Sequence, residues 1–271
     1  MSQQRVAAIQ MNSGADVTAN LREAGRLMAQ AAAQGAGLMV LPENFALMAR
    51  NDEERVRAGE VDGSGQIQDF LADKAQTLRT WIVGGTLPVV AGGDKVYARC
   101  PVYDAQGKRV AFYDKIHLFD VSVNAAGESY HESARMQPGS RAVVVDTPFG
   151  RLGLAVCYDL RFPELFRTLS AQGATLFAVP SAFTRSTGRL HWELLNRARA
   201  VENLAFVVAA AQTGRHANGR ETWGHSMIVE PWGEILAERA EEPGFISASL
   251  DGEAQTRLRQ RFPALNHRRL G

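Results

Sequence analysis

The stretch RLGLAVCYDLRFPE, residues 151–164, contains the pattern that decides the fold. Its apolar run from Leu152 to Val156 is typical of a short buried strand, and the run ends at Cys157. Pro163 stands where a helix can begin, because a residue in the first turn needs no N–H donor. Apolar residues then recur at helical spacing up to Gly173, where a second apolar run follows. The stretch predicts a strand–turn–helix–strand unit with a thiol at the end of its first strand, where α/β sheets collect ligands.

Cys157 has two interpretations. A lone cysteine after an apolar run is usually a small buried hydrophobic residue. Here, however, a polar segment rather than more core follows the thiol. The N-terminus of the predicted helix also favours a thiolate. We therefore expect Cys157 to be a reactive thiol.

The bulk composition is that of an ordinary globular chain. Its 271 residues suit one large α/β domain or two small ones, and no segment rich in Pro, Gly or Ser divides them. The net charge is +1, without a dense basic run before the C-terminal end, which argues against nucleic acid or an anionic membrane surface as a partner. Neither a signal-peptide pattern nor an apolar stretch of membrane-spanning length is present, so a cytoplasmic location is predicted.

Strands alternate with helices in each half of the chain, and each half also carries a hairpin signal. The simplest arrangement is two sheets face to face with helices outside, in a single domain covering residues 1–271. Residues 81–83 and 86–90 are predicted to supply one strand, residues 120–137 a long loop and residues 191–203 a helix. The last ~10 residues, ending in ALNHRRLG, have no core pattern and are predicted to pack on a partner or elsewhere on the chain.

Three apolar runs end in side chains that can do chemistry, namely Glu43, Lys115 and Cys157. If the strands run parallel in one sheet, the three groups lie at the same edge. Glu43 would then take the proton from the thiol, which at its ordinary pKa of about 8.5 is only slightly ionised at neutral pH. Lys115 and the backbone N–H of Tyr158 would face the developing oxyanion. The combination predicts acyl transfer.

A histidine base beside Cys157, as in thiol proteases, is the rival arrangement. Taken singly, Glu43 could be a carboxylate near a helix start and Lys115 a solvated surface cation. Sequence spacing excludes none of the candidate bases, which are His117, His131, His191, His216 and His225. Neither cysteine belongs to a cluster with metal-ligand spacing, and CxxC and HExxH are absent, so no zinc site is predicted.

Four segments resemble the nitrilase superfamily of carbon–nitrogen hydrolases: LPEN at 41–44, DKIHLFD at 114–120, CYDLRFPE at 157–164 and GHSMIVEPWGE at 224–234. The resemblance implies a four-layer α-β-β-α sandwich and a catalytic triad of Glu43, Lys115 and Cys157. It also implies that Glu132 is a second glutamate that positions Lys115 and the substrate. Metals and other cofactors are not expected, and dimers or larger homo-oligomers are.

Within this superfamily, PSAFTRSTG at 180–188, HWELLNRARAVEN at 191–203 and AAAQTGRH at 209–216 resemble the deaminated glutathione amidases. The resemblance implies hydrolysis of the terminal amide of a small carboxylated substrate through a cysteinyl thioester. The products would be 2-oxoglutarate with cysteinylglycine-type products, or the acid left after ammonia release. ω-Amidases acting on α-ketoglutaramate or succinamate are the first alternative. A non-catalytic scaffold or an acyltransferase of the same fold is the second.

A small-molecule amide and water are thus the expected partners, and several residues are candidates for binding the amide. Arg161 lies four residues after the nucleophile and could make a forked contact with a substrate carboxylate, or else pair with Asp159 or Glu164. Phe183 and Thr187 would line the same pocket. A second, distant carboxylate could meet arginines predicted to lie in loops, which are Arg185, Arg189 and Arg215.

Overall fold

The computed structural model describes residues 4–123 and 129–270. Its strands are β1 (Gln4–Gln10), β2 (Leu38–Val40), β3 (Trp81–Val83), β4 (Leu87–Gly92), β5 (Lys95–Tyr103), β6 (Arg109–Asp114), β7 (Asp120–Ser122), β8 (Ser129–His131), β9 (Val144–Thr147), β10 (Gly150–Leu154), β11 (Leu176–Ala178), β12 (Phe206–Ala209), β13 (Thr213–Arg215), β14 (Glu221–Trp223), β15 (Ser226–Val229), β16 (Ile235–Arg239) and β17 (Gly244–Leu250). Its α-helices are α1 (Val17–Ala33), α2 (Asp52–Arg57), α3 (Gln66–Leu78), α4 (Pro163–Ala171), α5 (Arg185–Asn203) and α6 (Gly252–Arg261). Short 3₁₀ helices cover Glu132–Ala134, Cys157–Arg161 and Ala264–His267.

Two large sheets form the centre of the molecule. The first has the order β17-β1-β2-β3-β5, with β4 and β6 also paired to β5. The second has the order β16-β15-β12-β11-β10-β9, in which β10, β11 and β12 are parallel. The smaller pairs β7–β8 and β13–β14 lie outside both sheets. Each large sheet thus mixes parallel strands connected by helices with antiparallel hairpins.

Helices cover the outer face of each sheet. Strand β1 is buried on both faces, because side chains alternate along a strand. Val6 and Ala8 belong to the core that includes the second sheet, whereas Ala7 and Ile9 pack in a separate core with α1 and α3. Helices α4 and α5 pack against the second sheet. The architecture is therefore the predicted four-layer α-β-β-α sandwich.

Helix ends follow the signals in the sequence. The Asp16 side chain caps α1 by accepting a hydrogen bond from the Ala19 N–H at 3.1 Å. Helix α4 begins with Pro163 at its first position, as predicted. Helix α5 begins earlier than predicted, at Arg185 rather than His191, because Thr184 supplies the N-cap. Arg185 and Arg189, which were predicted to lie in loops, are therefore helical.

Residues 81–90 form one strand with an interruption. Strands β3 and β4 pair in succession with one edge of β5, and β6 pairs with the other edge. Gly84 and Gly85 separate the two pieces, and Gly85 has a positive φ of 57°. A side chain at Gly85 would place its Cβ 2.1 Å from the carbonyl oxygen of Pro42, directly before Glu43. This glycine therefore allows the turn after β2 to pack closely against the sheet.

The prediction of an unstructured loop over residues 120–137 was wrong in part. Strands β7 and β8 pair there, and the 3₁₀ turn Glu132–Ala134 follows. These elements are too short to leave a periodic pattern. Residues 124–128 of the predicted loop lie outside the described residues. The pairing of β7 with β8 brings Glu132 back toward the end of β6.

Candidate active site

Lys115 binds two carboxylates at the centre of the site. Its Nζ lies 2.9 Å from Oε1 of Glu43 and 2.8 Å from Oε2 of Glu132. Lys115 is 1% exposed and Glu43 is 3% exposed. Burial lowers the pKa of Lys115, but the negative charges of Glu132 and Glu43 outweigh burial and raise this pKa above its ordinary value. Lys115 is therefore a permanently charged group held between two acids.

The turn after β2 fixes Glu43. The Glu43 carbonyl oxygen accepts a hydrogen bond from Nε2 of Gln212 at 3.1 Å. The next residue, Asn44, has a positive φ of 57°, and its N–H donates to Oγ1 of Thr86 at 2.8 Å. Backbone contacts on both sides thus determine where the carboxylate lies.

The end of β6 fixes Lys115, and the turn after β8 fixes Glu132. The Lys115 N–H donates to the Ala98 carbonyl oxygen at 3.1 Å. The Phe119 N–H donates to Oε2 of Glu132 at 2.9 Å. Burial raises the pKa of Glu132, but the Lys115 charge and these hydrogen bonds outweigh burial and lower the pKa overall. Glu132 is therefore an ionised carboxylate whose lone pairs are directed at Lys115 and at one backbone amide.

Cys157 lies on the other sheet, in the turn after β10. Its backbone has a left-handed φ of 48°, and its N–H donates to the Pro180 carbonyl oxygen at 2.9 Å. The buried carboxylate of Asp159 accepts hydrogen bonds from the Val156 N–H at 2.8 Å and from the Tyr113 hydroxyl at 2.7 Å. Since Tyr113 belongs to β6 of the first sheet, Asp159 connects the nucleophile turn to the strand that ends at Lys115.

The pKa of the Cys157 thiol is raised, in contrast to the expected stabilisation of a thiolate. Burial is the main cause, and the negative charge of Glu43 adds to it. The charge of Lys115 and a hydrogen bond from the backbone of Ala182 act in the opposite direction but are weaker. The helix N-terminus is thus outweighed, and the thiol is protonated at neutral pH. Such a thiol needs a base to react, and Glu43 is the carboxylate whose charge acts on it most strongly.

The expectation of one sheet edge was wrong, although the three groups do meet. Glu43 and Lys115 follow β2 and β6 of the first sheet, whereas Cys157 follows β10 of the second. Strands β2 and β6 run in the same direction, since two antiparallel steps separate β6 from β3. The site therefore lies between two sheets packed face to face.

The candidate histidines make other contacts. His131 is exposed on β8. The others contact groups away from the thiol: His117 Nδ1 lies 2.7 Å from Asp159 Oδ1, His191 Nδ1 3.2 Å from Arg161, His216 Nδ1 2.9 Å from the Ser13 carbonyl oxygen, and His225 Nδ1 2.6 Å from Glu238 Oε1. Burial lowers the pKa of His216 and, with the nearby Arg161 charge, that of His191. The geometry supports Glu43 rather than a histidine as the partner of Cys157.

The N–H of Tyr158 is available as a donor. Within residues 4–123 and 129–270 it has no hydrogen-bond acceptor. Phe119 and Phe162 contact the Tyr158 ring edge-on, with centroid distances of 5.1 Å and 5.3 Å. The aromatic cluster holds the Tyr158 side chain and leaves its backbone amide free to bind an oxyanion.

The predicted substrate-binding residues are placed differently from one another. Arg161 forms no ion pair among the described residues, and its guanidinium lies 5.4 Å from the Phe183 ring centroid. Phe183 is buried and packs on Trp192 at 5.0 Å. Thr187 lies in the first turn of α5, where its hydroxyl is 2.9 Å from that of Thr184. Arg161 and Phe183 thus lie against each other, while the hydroxyl of Thr187 already has Thr184 as a partner.

A cavity of about 990 Å³ is lined by Tyr130 and Ala134, on either side of the Glu132 turn, and by the start of α5, while Glu132 and the other three site residues are not in its wall. Arg185 and Arg189 line it, although both are helical rather than in a loop, and Arg215 on β13 is not part of its wall. Arg220, in the turn between β13 and β14, also lines the cavity, and its charge acts on both Cys157 and Glu132. Sequence reasoning missed Arg220, because nothing in its short polar turn distinguishes it from a surface arginine.

Two further observations concern metal ions and membranes. Among the residues that the structure describes, no group of three or more His, Cys, Asp or Glu side chains could hold a metal ion. No helix in those ranges is long and apolar enough to cross a membrane. What the site does contain is a buried thiol, a carboxylate base, a fixed cation and a free backbone donor. Hydrolysis through a cysteine nucleophile requires groups of these kinds.

Comparison with known proteins agrees with this class. The carbon–nitrogen hydrolase family model matches residues 5–260. A deaminated glutathione amidase of Synechocystis is 43% identical over 266 residues, covering 97% of both chains, and one of Yersinia enterocolitica is 40% identical, covering 99% of this chain and 94% of the relative. The crystal structure of Saccharomyces cerevisiae Nit3, a member of branch 10 of the nitrilase superfamily, superimposes with a TM-score of 0.89 and 32% identity, covering 100% of this chain and 98% of Nit3. The chain belongs to the carbon–nitrogen hydrolase family, and the predicted resemblance is confirmed.

Proposed function

We propose that this hydrolase cleaves the amide of deaminated glutathione by way of a thioester on Cys157. The observation that carries the proposal is the buried cluster in which Lys115 contacts Glu43 and Glu132 beside a protonated thiol. The names of the full-length relatives support the choice of substrate. Glu43, Lys115, Cys157 and Glu132 are the proposed catalytic set.

In the acylation step Glu43 takes the proton from the Cys157 thiol as sulfur attacks the amide carbon. The carbonyl oxygen becomes an oxyanion, which Lys115 and the Tyr158 N–H bind. Glu43 then gives its proton to the amide nitrogen, the C–N bond breaks, and the amine leaves. Because the pKa of the thiol is raised, the proton transfer to Glu43 is essential to this step.

In the deacylation step Glu43 is again a base. It takes a proton from water as the water oxygen attacks the thioester carbon, and the same two donors bind the second oxyanion. The C–S bond breaks, and the sulfur recovers the proton from Glu43. Glu132 does not exchange a proton in this scheme. It is a second carboxylate partner of Lys115 beside Glu43, so that the ammonium group keeps its position.

The proposed substrate accounts for the position of Arg161 and for the nature of the leaving group. Deaminated glutathione is glutathione with an oxo group in place of its amino group, so the cleaved amide joins a 2-oxoglutaryl group to cysteinylglycine. The expected products are 2-oxoglutarate and cysteinylglycine. Arg161 is the proposed partner of the carboxylate on the 2-oxoglutaryl side, with Phe183 packed under its guanidinium. Thr187 remains a weaker candidate, because its hydroxyl already contacts Thr184.

An ω-amidase acting on α-ketoglutaramate or succinamate is the second candidate. α-Ketoglutaramate shares the 2-oxoglutaryl group, whereas succinamate has a shorter succinyl group. Both keep a carboxylate for Arg161, but they release ammonia. Arg220, whose charge acts on Cys157, lines the cavity of about 990 Å³, which supports a substrate with a larger leaving group. A non-catalytic scaffold would not need a buried charged cluster, which costs desolvation energy. An acyltransferase would give the same thioester and differ only in the acceptor.

Side-by-side kinetics test the proposal. Purified protein is given deaminated glutathione, α-ketoglutaramate and succinamate, while 2-oxoglutarate or succinate, cysteinylglycine and ammonia are measured separately. We expect the highest kcat/KM with deaminated glutathione, and no product from Cys157→Ala. Hydroxylamine added during turnover should yield the hydroxamate in place of part of the acid, which shows the thioester. A higher kcat/KM for α-ketoglutaramate would replace the first candidate by the second.

We propose that residues 1–271 act as one domain in a cytoplasmic homo-oligomer, without a metal or other cofactor. Large apolar side chains are exposed near the start of the C-terminal segment and on α5, including Phe262 at 48% and Leu194 at 67%. These side chains are exposed in a single copy of the chain and would be buried between copies in an oligomer. Light scattering coupled to gel filtration measures the oligomeric state.

A further inference from the structure

Arg220 has a buried donor without an acceptor. Its Nε is inaccessible and has no hydrogen-bond partner among the described residues. Its Nη2 donates to the carbonyl oxygen of Ala182, and its guanidinium carbon lies 5.0 Å from the centroid of the Tyr130 ring. The guanidinium is therefore held in place by an aromatic ring and one backbone oxygen. Because Nε is inaccessible, a ligand can reach only the part of Arg220 that lines the cavity.

Most other arginines of the cavity wall differ from Arg220 in having a carboxylate partner. Four of them form ion pairs: Arg50 with Glu54, Arg55 with Asp52, Arg135 with Asp94, and Arg185 with Glu241. Arg189 and Arg220 form none within residues 4–123 and 129–270. Of these two, Arg189 is exposed to solvent, where a charge needs no partner. Arg220 is thus the partly buried cation of the cavity wall that no protein carboxylate neutralises.

Ala182 connects Arg220 with the nucleophile. The backbone of Ala182 makes a hydrogen bond to the Cys157 thiol, and its carbonyl oxygen accepts a hydrogen bond from Arg220. The positive charge of Arg220 also lowers the pKa of both Cys157 and Glu132. Ala182 therefore bridges Arg220 and the reacting sulfur, and Arg220 lines the cavity.

We propose that Arg220 is a specificity-determining residue that binds the glycine carboxylate of the cysteinylglycine leaving group. This inference rests on the proposed function. The leaving dipeptide spans two residues, or about 7 Å when extended, which would carry its carboxylate from the scissile bond into the cavity. Arg161 has different neighbours, Tyr158 and Phe183, and does not line the cavity. The substrate has a carboxylate at each end, and each would meet its own arginine.

The guanidinium chemistry suits this role. A planar guanidinium offers parallel N–H groups that match the two oxygens of a carboxylate, and contacts of this kind are stronger than hydrogen bonds between neutral groups. The Tyr130 ring, whose centroid lies 5.0 Å from the guanidinium carbon, helps to hold the guanidinium in place. The carboxylate would bind the part of Arg220 that lines the cavity.

Paired substrates and variants test the inference. Wild type and Arg220→Gln are compared on deaminated glutathione, on its glycinamide, which lacks the glycine carboxylate, and on α-ketoglutaramate, which lacks the dipeptide. We expect Arg220→Gln to lower kcat/KM for deaminated glutathione by about 10- to 100-fold, mainly through KM. For the wild type, kcat/KM should be lower for the glycinamide than for deaminated glutathione by the same factor. Arg220→Gln should not lower kcat/KM for the glycinamide any further. Activity on α-ketoglutaramate should change by less than about threefold.

Two further variants complete the design. Arg220→Lys keeps the charge without the forked geometry and should recover part of the lost kcat/KM. Arg215→Gln removes an exposed arginine of β13 that does not line the cavity, and it should behave as wild type. Equal losses on all three substrates, or no loss on deaminated glutathione, would overturn the role of Arg220. A wild-type protein that fails to cleave deaminated glutathione would instead overturn the proposed function, and it would do so before any variant is made.

Discussion

Replacing Glu132 by Gln should impair both the stability and the chemistry of the site. In the wild type, Lys115 lies 2.8 Å from Glu132 and 2.9 Å from Glu43. At an effective dielectric constant of about 20, each of these attractions is worth about 6 kcal/mol before the cost of burying the charges is subtracted. The two attractions are nearly equal and hold the ammonium group between the carboxylates. Glu132→Gln removes one of them without removing the side chain.

Much of this attraction is offset, so the measured loss of stability should be smaller. Breaking a buried ion pair usually costs about 3–5 kcal/mol, but Lys115 keeps Glu43 as a partner and the new amide oxygen can still accept a hydrogen bond. We expect a decrease of about 2–3 kcal/mol in the free energy of unfolding, measured by urea denaturation. Because the folded-state pKa of Glu132 is lowered, this decrease should be complete above about pH 5 and shrink as the pH falls below about 4.3.

The effect on turnover should be larger in kcat than in KM. Without Glu132, Lys115 pairs with Glu43 alone, which ties the base to the cation and moves the ammonium group away from the oxyanion position. We expect kcat to fall about 100-fold, equivalent to about 2.7 kcal/mol of transition-state stabilisation. Glu132→Asp, which keeps the charge with a shorter reach, should be intermediate.

A matched control is Glu193→Gln, which breaks an exposed ion pair with Arg197 that is 3.0 Å long. Exposed pairs of this kind contribute less than about 1 kcal/mol, so this variant should keep its stability and kcat. The reasoning is refuted if Glu132→Gln retains kcat within about threefold of the wild-type value, because Lys115 would then need only one carboxylate to hold its position.

Three other measurements test separate parts of the structure. Because burial and the Glu43 charge raise the pKa of Cys157, its alkylation by iodoacetamide should still accelerate above pH 9, where an ordinary thiol with a pKa of about 8.5 levels off; a plateau below pH 8 would contradict this. Gly85→Ala, with its Cβ 2.1 Å from the Pro42 carbonyl oxygen, should lose more than about 2 kcal/mol of stability in urea, whereas Gly93→Ala, with a similar φ and open space, should lose only about 1 kcal/mol. Tyr113→Phe removes the 2.7 Å hydrogen bond to Asp159 and should lower stability by about 1–2 kcal/mol; an unchanged melting temperature would show that Asp159 does not depend on this bond.

The layers and the central site could be predicted because their signals are local. The apolar run before Cys157 and Pro163 at the helix start are consecutive in the chain, and they determine β10 and α4. The three segments that contain Glu43, Lys115 and Cys157 each end a buried strand. What the sequence did not reveal was that two sheets, rather than one, bring these ends together. That arrangement depends on contacts such as Tyr113 to Asp159, which are 46 residues apart.

The electrostatics of the thiol could not be predicted for the same reason. The helix after Cys157 is visible in the sequence and suggests a thiolate, but burial and the Glu43 charge exist only in the folded chain, and together they reverse the shift. Arg220 was missed because its unpaired Nε is a property of its surroundings. The strands around it, β13 and β14, contain three residues each, which is too short for a periodic pattern.

The left-handed backbone at Cys157 implies a conflict between durability and reactivity. An L-residue with a φ of 48° holds conformational strain of roughly 1–2 kcal/mol, which a glycine would release. Cys157→Gly should therefore yield an inactive protein that resists heat better than Cys157→Ala does. Efforts to make this enzyme more thermostable by consensus design or directed evolution should leave the strained backbone at Cys157 unchanged. In the proposed mechanism, this conformation presents the sulfur to the substrate.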